Sequence, residues 1–424
     1  MLIATVFLCF LCAVRCDLLS QAPADEVLLK EDETKWRQEA ITKLWEERAK
    51  IGHTPLIEFP VAGLPRLRLF IKNETATATR SLKHRFVWAL AMWAVVDGKV
   101  NSNSTAYDST SGNTGASEAY MFTAIGVPYI AVVATDLEQA KIDNIEKHGG
   151  KIMKVDVSLR NFHAKDEAEK NNGFFINQFG NAEQAEEYFE SGNYTYESSN
   201  VFHEILAQLR DDPQVKRATV DYFVHSAGTG GTISSVGRYV DRYNIPTKVV
   251  LADSEFSLFY DYVIHDSFKN ESGTKLWRKP GVAGIGYGYD VEPVIFGQTT
   301  SLVRSVIDEA VKMPDIATAA ALRELNARGM DGGPSSALNI LVSLHMALQD
   351  PKEELQIVTL MNDPAEFYQK NYFNDEWIEK VFEDRGGMKA LECWRQEIAS
   401  TLDKGTNFLE SGLKNCAAPP KMRV

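Results

Sequence analysis

Short apolar runs alternate with amphipathic segments along most of this chain. A strand covered on both faces reads as a continuous apolar run, so these runs predict buried strands. They are Tyr129 to Ala134, Lys151 to Val155, Phe174 to Asn177, Asp221 to His225, Lys248 to Asp253 and Gln356 to Met361. The segments between or around them predict helices: Ala116 to Ile125, Asp136 to His148, Ile233 to Tyr243, Ile316 to Arg328 and Ala337 to Leu348. Such alternation predicts an α/β fold with parallel sheets that carry helices on both faces.

The two ends of the chain lie outside this alternation. Glu26 to Lys50 reads as a charged amphipathic helix, and helix-like stretches follow Tyr368 before a Pro-Pro-Lys tail. We therefore expect an N-terminal helical extension over residues 17–50, a core of two α/β lobes over residues 51–368 and a C-terminal extension over residues 369–424.

The first residues predict a targeting segment. Leu2 to Val14 is a mostly apolar run, long enough for the core of a signal peptide and shorter than the ~20 residues that span a bilayer. Cleavage after Cys16 would remove residues 1–16 and deliver the protein to the secretory-pathway lumen or the exterior. An anchor that stays uncleaved in the membrane is the alternative, since no Lys or Arg precedes the run.

Cysteines and sequons bear on the same compartment. Loss of the segment leaves Cys393 and Cys416, which an oxidising compartment would allow to pair. Asn-x-Ser/Thr sequons, which would carry glycans in a secreted glycoprotein, begin at Asn73, Asn103, Asn193 and Asn270. Asn193 lies in the most polar stretch and is the preferred acceptor, whereas Asn73 falls in a predicted core strand.

Composition indicates a globular enzyme and argues against nucleic acid as a partner, and histidine spacing argues against a metal site. The 424 residues are 44% hydrophobic and 24% charged, which is typical of globular proteins. A net charge of -13 argues against a nucleic-acid surface, which needs clustered Lys and Arg. His203-Glu204 has no second histidine at zinc-ligand spacing, so we expect no metal site.

A glycine loop has the clearest chemistry. Gly228, Thr229, Gly230, Gly231 and Thr232 stand between a predicted strand and a predicted helix. Glycines let backbone N–H groups approach a ligand, and the start of a helix favours an anion, so the loop is suited to a phosphate. It has neither the Walker ending nor the Gly-x-Gly-x-x-Gly spacing. A tight strand-to-helix turn is the alternative interpretation.

Two other segments complete a candidate site. Ser81-Leu82-Lys83-His84-Arg85 offers an amine that could form a Schiff base, and Thr110 to Gly115 is a turn of hydroxyls and amides suited to a small carboxylate. An amine of this kind together with a phosphate cradle suggests pyridoxal 5'-phosphate (PLP), whose aldehyde reacts with amines.

These and further segments, taken in order, resemble the cysteine synthase / cystathionine β-synthase family. Thr110 to Gly115 and Gly228 to Thr232 are identical to the family's Thr-Ser-Gly-Asn-Thr-Gly and Gly-Thr-Gly-Gly-Thr loops. The other matching segments are Ile51 to Leu56, Lys72 to Glu74 with Ser81 to Arg85, Asn177 to Phe179, Gly284 to Gly286 and Gly332 to Ser336. Nothing resembles a tandem regulatory domain or a haem segment, so the chain is more similar to simple cysteine-synthase-like or cysteine-desulfhydrase-like members.

The resemblance implies a fold and a role for each residue. The fold would be that of the fold-type-II PLP-dependent enzymes (tryptophan synthase β-like), with PLP in a cleft between two α/β lobes, and we expect a homodimer. Lys83 would be the catalytic residue that forms the Schiff base and moves the α-proton. The cofactor contacts would be Asn113 to the 3'-oxygen, Gly228 to Thr232 to the phosphate and Ser335 to the pyridine nitrogen. The substrate carboxylate would bind Thr110, Ser111, Thr114 and Gln178.

The activity implied is β-elimination or β-replacement on cysteine or an activated serine. A neutral serine beside the pyridine nitrogen favours loss of a β-leaving group. Some positions depart from the family: His84 replaces an Asp, and Ala337-Leu338 replaces Gly-Ala. A secreted, catalytically silent protein that binds PLP or an amino acid is therefore the alternative, and lyase and transferase share all the assigned residues.

Overall fold

The computed structural model describes residues 24–156, 159–182, 200–267, 281–287 and 300–416. The predicted signal segment (residues 1–16), Asn193 and Asn270 lie outside these ranges. Within them the chain forms two sheets covered by helices, which confirms the predicted α/β class. No helix of the described ranges is long and apolar enough to cross a bilayer. The same ranges hold no group of three or more His, Cys, Asp and Glu side chains arranged for a metal ion.

The strands fall into a larger and a smaller sheet. Their bounds are β1 Leu56–Phe59, β2 Leu67–Asn73, β3 Ala106–Ser109, β4 Tyr129–Ala134, β5 Lys151–Val155, β6 Phe174–Phe175, β7 Tyr222–Ser226, β8 Lys248–Ser254, β9 Glu309–Met313 and β10 Leu355–Met361. The described larger sheet has the order β1-β2-β10-β7-β8-β9, and the smaller one has the order β5-β4-β3-β6. All pairings are parallel except β1 with β2.

The helices connect and cover these strands. They are α1 Ala24–Ile51, α2 Lys83–Val96, α3 Asn113–Ala124, α4 Gln139–Lys147, α5 Arg160–Lys170, α6 Val201–Asp211, α7 Gly231–Arg242, α8 Phe259–His265, α9 Asp315–Ala327, α10 Pro334–Gln349, α11 Asp375–Val381, α12 Gly387–Lys404 and α13 Phe408–Asn415.

The larger sheet separates two hydrophobic clusters, because successive side chains of a strand point to opposite faces. On one face, side chains of the sheet pack with residues of α9, α10 and α12. On the other, they pack with residues of α6, α7 and α8. The alternating strand residues are Leu69, Val224 and Ile357 on the first face and Phe70, Phe223 and Val358 on the second. A third cluster joins α1, α2 and α3 to the smaller sheet.

Both extensions pack on the core. In α1, the carbonyl of Leu44 accepts a hydrogen bond from Trp88 Nε1 of α2 at 2.6 Å. At the other end, α12 packs against α9. Cys393 of α12 and Cys416, just after α13, form a disulfide with Cα atoms 5.6 Å apart. The C-terminal helices are thus tied to each other and to the larger sheet.

The predicted strands and helices are confirmed with small shifts of their ends, and the differences have physical causes. The sequence analysis did not predict strands β1, β3 and β9 or helices α2, α5, α6 and α8. Strands β3 and β9 each carry a buried charged residue, Asp108 and Lys312, inside a short run, which hides the apolar pattern. Helix α3 begins at Asn113 rather than Ala116. That shift matters for function, because it places the polar turn Thr110 to Gly115 at a helix N-terminus.

Candidate active site

The three segments picked out by chemistry all follow the carboxyl ends of parallel strands. The lysine segment comes after β2, the polar turn after β3 and the glycine loop after β7. Ligands of open α/β sheets bind at this edge. The end of β10 joins them, because the carbonyl of Asn362 accepts a hydrogen bond from Leu82 N at 2.8 Å.

Lys83 is the first residue of α2 and is half-buried. Its backbone N–H donates to Ser81 Oγ at 3.1 Å, and its Nζ lies 5.5 Å from the centroid of the Phe86 ring. Burial, with a smaller contribution from the positive charge of Lys83, lowers the pKa of His225 to about 3. His225 lies near the end of β7, just before the glycine loop, so the charge of Lys83 is felt at that end of the strand.

A buried ionic network holds the helix that carries Lys83. Arg85 donates to Glu74 at 3.1 Å and to Glu204 Oε1 at 2.5 Å, and Arg48 of α1 reaches the same Glu204 oxygen at 2.7 Å. Burial raises the pKa of Glu204, but Arg85, Lys72 and Arg48 outweigh it and bring that pKa down to about 2. The N-terminal extension thus contributes a cation to the support of the lysine helix.

The polar turn is shaped by Thr110. Its Oγ1 accepts hydrogen bonds from Gly112 N at 3.2 Å and Gly115 N at 2.9 Å. Ser111 is exposed, whereas Thr114 is buried. Since α3 starts at Asn113 without a side-chain cap, the turn presents the positive end of a helix, which suits a substrate carboxylate.

Gln178 lies against the same turn, as the family resemblance implies. Its Nε2 donates to the carbonyl of Ser109 at 2.7 Å, and its backbone N–H donates to Asp108 Oδ2 at 3.3 Å. Strand β3 therefore brings Gln178 close to Thr110. The side chains of both residues hydrogen-bond to backbone groups in or next to the turn.

Asp108 and Glu118 form a buried acid pair behind this turn, which sequence reasoning did not identify. Both side chains are fully buried, and they interact closely enough for each to shift the pKa of the other. Tyr129 OH donates to Glu118 Oε2 at 2.6 Å. Two carboxylates are both acceptors, so this contact requires a proton on one of them. Burial raises the pKa of Asp108 to about 6 and raises that of Glu118 well above its usual range.

Asn113 contacts a second acid that the sequence analysis left without a role. Its Nδ2 donates to Asp363 Oδ2 at 2.7 Å, and the Tyr368 hydroxyl donates to the same oxygen. Burial raises the pKa of Asp363 above its usual range. The two polar residues Asn362 and Asp363, which follow the buried strand β10, are the signal that would have indicated this acid.

The glycine loop fits a phosphate. Gly230 has a φ of 90°, and a Cβ there would lie 2.4 Å from Leu302 Cα. A Cβ on Gly228 would lie 2.5 Å from the carbonyl oxygen of Gly284. Helix α7 begins at Gly231, and the Gly231 N–H makes a long hydrogen bond of 3.4 Å to Thr229 Oγ1. The positive end of the helix there favours an anion. At Gly228 and Gly230 the loop therefore has no room for a side chain, and its backbone donors are those that an anion needs.

Ser335 completes the set at the start of α10 and is buried. Its Oγ accepts a hydrogen bond from Asn362 Nδ2 at 3.0 Å. That bond uses an oxygen lone pair, so the hydroxyl proton can be donated to a ring nitrogen. The donor set therefore fits PLP: an amine, an anion cradle and a neutral hydroxyl.

This fold and donor set define the class of fold-type-II PLP-dependent enzymes. Comparison with protein families matches residues 48–363 to the family described as "Pyridoxal-phosphate dependent enzyme". The chain belongs to this family, and PLP is its cofactor.

Several relatives and solved structures are similar over most of the chain. A Caenorhabditis elegans protein named as pyridoxal-phosphate dependent is 58% identical, covering 91% of this chain and 90% of that protein. L-cysteine desulfhydrase of Mycobacterium tuberculosis is 31% identical, covering 84% of this chain and 93% of that enzyme. The crystal structure of O-ureido-L-serine synthase has a TM-score of 0.63 at 24% identity, covering 77% of this chain and 93% of that one. That likeness confirms the fold-type-II architecture.

Proposed function

We propose that this enzyme catalyses β-elimination on cysteine, with β-replacement on cysteine or an activated serine as the related outcome. The observation that carries the proposal is the convergence of the Lys83 segment, the polar turn and Ser335 around the end of β10. Cysteine is the favoured substrate because the relative named L-cysteine desulfhydrase is 31% identical and is covered over 93% of its length. A cysteine synthase of Campylobacter jejuni, 27% identical, supports the same substrate class.

Each residue has a distinct task in this proposal. The N–H groups of the Gly228 to Thr232 loop would hold the PLP phosphate, Asn113 would hold the 3'-oxygen, and Lys83 would supply the amine for the cofactor's aldehyde. Bound PLP supplies an electron sink for the bond that breaks at the substrate α-carbon. Thr110, Ser111, Thr114 and Gln178 bind the carboxylate and orient that carbon.

Proton movement falls to Lys83. Its Nζ takes the α-proton of the substrate, and the sulfur leaves the β-carbon as hydrogen sulfide. Ser335, a neutral partner, does not hold a proton on the pyridine nitrogen as an aspartate would, which favours departure of the β-group. Overall, cysteine and water give pyruvate, ammonia and hydrogen sulfide; a second thiol would give a new thioether and hydrogen sulfide.

The test is an assay of purified protein with cysteine, scored for sulfide and pyruvate, with and without a second thiol. Equal sulfide and pyruvate would support elimination, and sulfide without pyruvate in the presence of the thiol would support replacement. If the PLP-loaded protein gives no spectral change with cysteine, serine or O-acetylserine, the enzymatic proposal fails in favour of a silent binder.

We also propose that the mature protein starts near Asp17, is exported and is a homodimer. The Cys393–Cys416 disulfide supports an oxidising compartment. Asn103 is exposed in a turn, whereas the Oδ1 of Asn73 accepts a hydrogen bond from Thr75 N. Of these two sequons, which both lie in the described ranges, Asn103 is therefore the better candidate to carry a glycan. Intact-mass measurement of protein from native secretion, before and after deglycosylation, tests processing; a mass that retains residues 1–16 and no glycan would reject it. Light scattering tests the dimer.

A further inference from the structure

The described segment Gly281 to Tyr287 closes against the glycine loop. Its Gly286 N–H donates to the carbonyl of Ala227 at 2.8 Å, directly before Gly228. The carbonyl of Gly284 is so close that a Cβ on Gly228 would lie 2.5 Å from it. Any displacement of this segment therefore changes the backbone positions that form the anion cradle.

Tyr372, in the C-terminal extension, bridges the start of this segment. Its hydroxyl donates to the carbonyl of Gly281 and accepts from Ala283 N at 2.8 Å. The ring is buried and packs against Tyr368 and Trp377 with centroids 5.7 and 4.9 Å away. Packing of the ring thus fixes the position of the hydroxyl, and its two hydrogen bonds hold the backbone of Gly281 and Ala283 in place.

Arg385 of the C-terminal extension also supports Gly281, through the buried acids Glu255 and Asp315. Gly281 N donates to Asp315 Oδ2 at 2.7 Å, and Asp315 N donates to Glu255 Oε1 at 3.2 Å. Arg385 lies 3.4 Å from Glu255 Oε1 and 4.9 Å from the centroid of the Phe256 ring. Arg385, Glu255 and Asp315 are all buried.

Arg385 is a cation in contact with this buried acid pair. Burial and the neighbouring Asp315 charge raise the pKa of Glu255 to about 8, and the positive charge of Arg385 opposes that rise. Arg385 contacts Glu255 directly and so supplies positive charge beside the two acids. Without Arg385, a buried negative charge would lose its counter-ion, which is costly and would loosen the anchor of Gly281.

Tyr372 and Arg385 lie beyond the part of the chain that matches the family, residues 48–363. We propose that they are positioning residues for the cofactor: they hold the segment Gly281 to Tyr287 against the glycine loop and so set how tightly PLP is retained. The inference rests on the proposed role of that loop as the phosphate site. It gives the C-terminal extension a function in the active site.

The first experiment measures the PLP dissociation constant of the apoprotein by fluorescence titration. Tyr372→Phe removes both hydrogen bonds and keeps the ring, so the dissociation constant should rise at least tenfold. Tyr222→Phe is the matched control: it loses one hydrogen bond, to Asp350 at 2.9 Å, at the opposite end of β7. The control should change the constant less than twofold.

Arg385 provides the second pair of variants. Arg385→Gln should weaken PLP binding, and Arg385→Lys should restore most of it, because a cation again faces Glu255. If Tyr372→Phe does not fold, the two Arg385 variants still test whether the C-terminal extension sets PLP affinity. Urea unfolding of the apoproteins is measured alongside, since a purely structural role would lower stability without changing PLP affinity.

The outcomes separate this inference from the proposed function. If Tyr372→Phe and Arg385→Gln bind PLP as wild type does while Gly230→Ala binds it weakly, the positioning role is wrong and the phosphate site stands. If Gly230→Ala also binds PLP normally, the phosphate lies elsewhere and both proposals fail.

Discussion

Asn113 at the start of α3 and Asp363 after β10 are joined by a 2.7 Å hydrogen bond from Nδ2 to Oδ2, although 250 positions separate them in the chain. The bond links the side of the smaller sheet to the end of a central strand of the larger one. Tyr368 donates to the same Asp363 oxygen, so one buried carboxyl group serves two donors. Asn113 is thereby held where the proposed contact with the PLP 3'-oxygen would be made.

Replacement of Asp363 by Ala should destabilise the protein and weaken PLP binding. The Asn113 amide and the Tyr368 hydroxyl would both lose a buried acceptor, at a cost of about 1 to 3 kcal/mol for each unsatisfied group. Urea unfolding should therefore show a loss of about 2 to 6 kcal/mol. Asp403→Ala, which breaks an exposed pair with Arg328, is the control and should cost less than about 1 kcal/mol. Equal losses in the two variants would contradict the structural role of Asp363.

Replacement of Lys83 by Ala should abolish turnover and the visible absorbance of the bound cofactor. Lys83 lies at the start of α2, next to Leu82, whose N–H donates to the carbonyl of Asn362 at the end of β10. Absorbance spectra and borohydride trapping followed by peptide mapping measure the effect, with the exposed Lys99→Ala as the control. A yellow Lys83→Ala protein that borohydride still reduces at a lysine would assign the cofactor to another residue.

The glycine loop allows a closely matched comparison. Gly230 and Gly329 have φ values of 90° and 88°, but a Cβ on Gly230 would strike Leu302 while one on Gly329 meets nothing within 4 Å. Gly329→Ala should therefore cost about 1 kcal/mol from the left-handed conformation alone. Gly230→Ala should cost more and should also raise the PLP dissociation constant at least tenfold; Gly230→Val should be worse. Unchanged PLP affinity would place the phosphate elsewhere.

The Asp108–Glu118 pair predicts a fall in stability as pH rises. Both pKa values are raised by burial, that of Asp108 to about 6, so the folded protein holds more protons than the unfolded chain above the ordinary carboxyl range. Each extra proton costs about 1.4 kcal/mol of stability per pH unit. The stability from this pair is present at low pH and is lost as pH rises through about 6.

Glu118→Gln tests this pair, because glutamine keeps a donor for Asp108 and an acceptor for Tyr129 but does not titrate. Urea unfolding at pH 5 and pH 8 should show a smaller loss of stability in Glu118→Gln than in wild type. The exposed Glu46→Gln should retain the wild-type difference. An unchanged slope in Glu118→Gln would show that the pair does not share a proton.

The Cys393–Cys416 disulfide should stabilise the C-terminal extension. It closes a loop with a sequence separation of 23, for which chain entropy predicts about 3 kcal/mol. The Cys393→Ser, Cys416→Ser double variant should lose about that much in urea unfolding. A reductant should destabilise the wild type by a similar amount and leave the double variant unaffected; a wild type indifferent to reductant would show that the pair is not oxidised.

The sequence by itself determined the fold class and most of the candidate site. The apolar run Tyr129–Ala134 needs no tertiary context, because a strand covered on both faces is apolar throughout. The cofactor segments could be predicted for a similar reason. A loop that holds a phosphate with backbone N–H groups needs glycine at particular positions, and those glycines can be read directly from the sequence.

The tertiary structure alone decided which distant residues support those segments. Asp108, Lys312 and Asp363 look like surface residues in sequence, yet all three are buried, and each makes a hydrogen bond to a residue distant in the chain. Likewise, nothing in the sequence of the C-terminal extension indicates that Tyr372 reaches Gly281. Hydrogen bonds between side chains far apart in the chain depend on how strands and helices pack, and no local pattern records that packing.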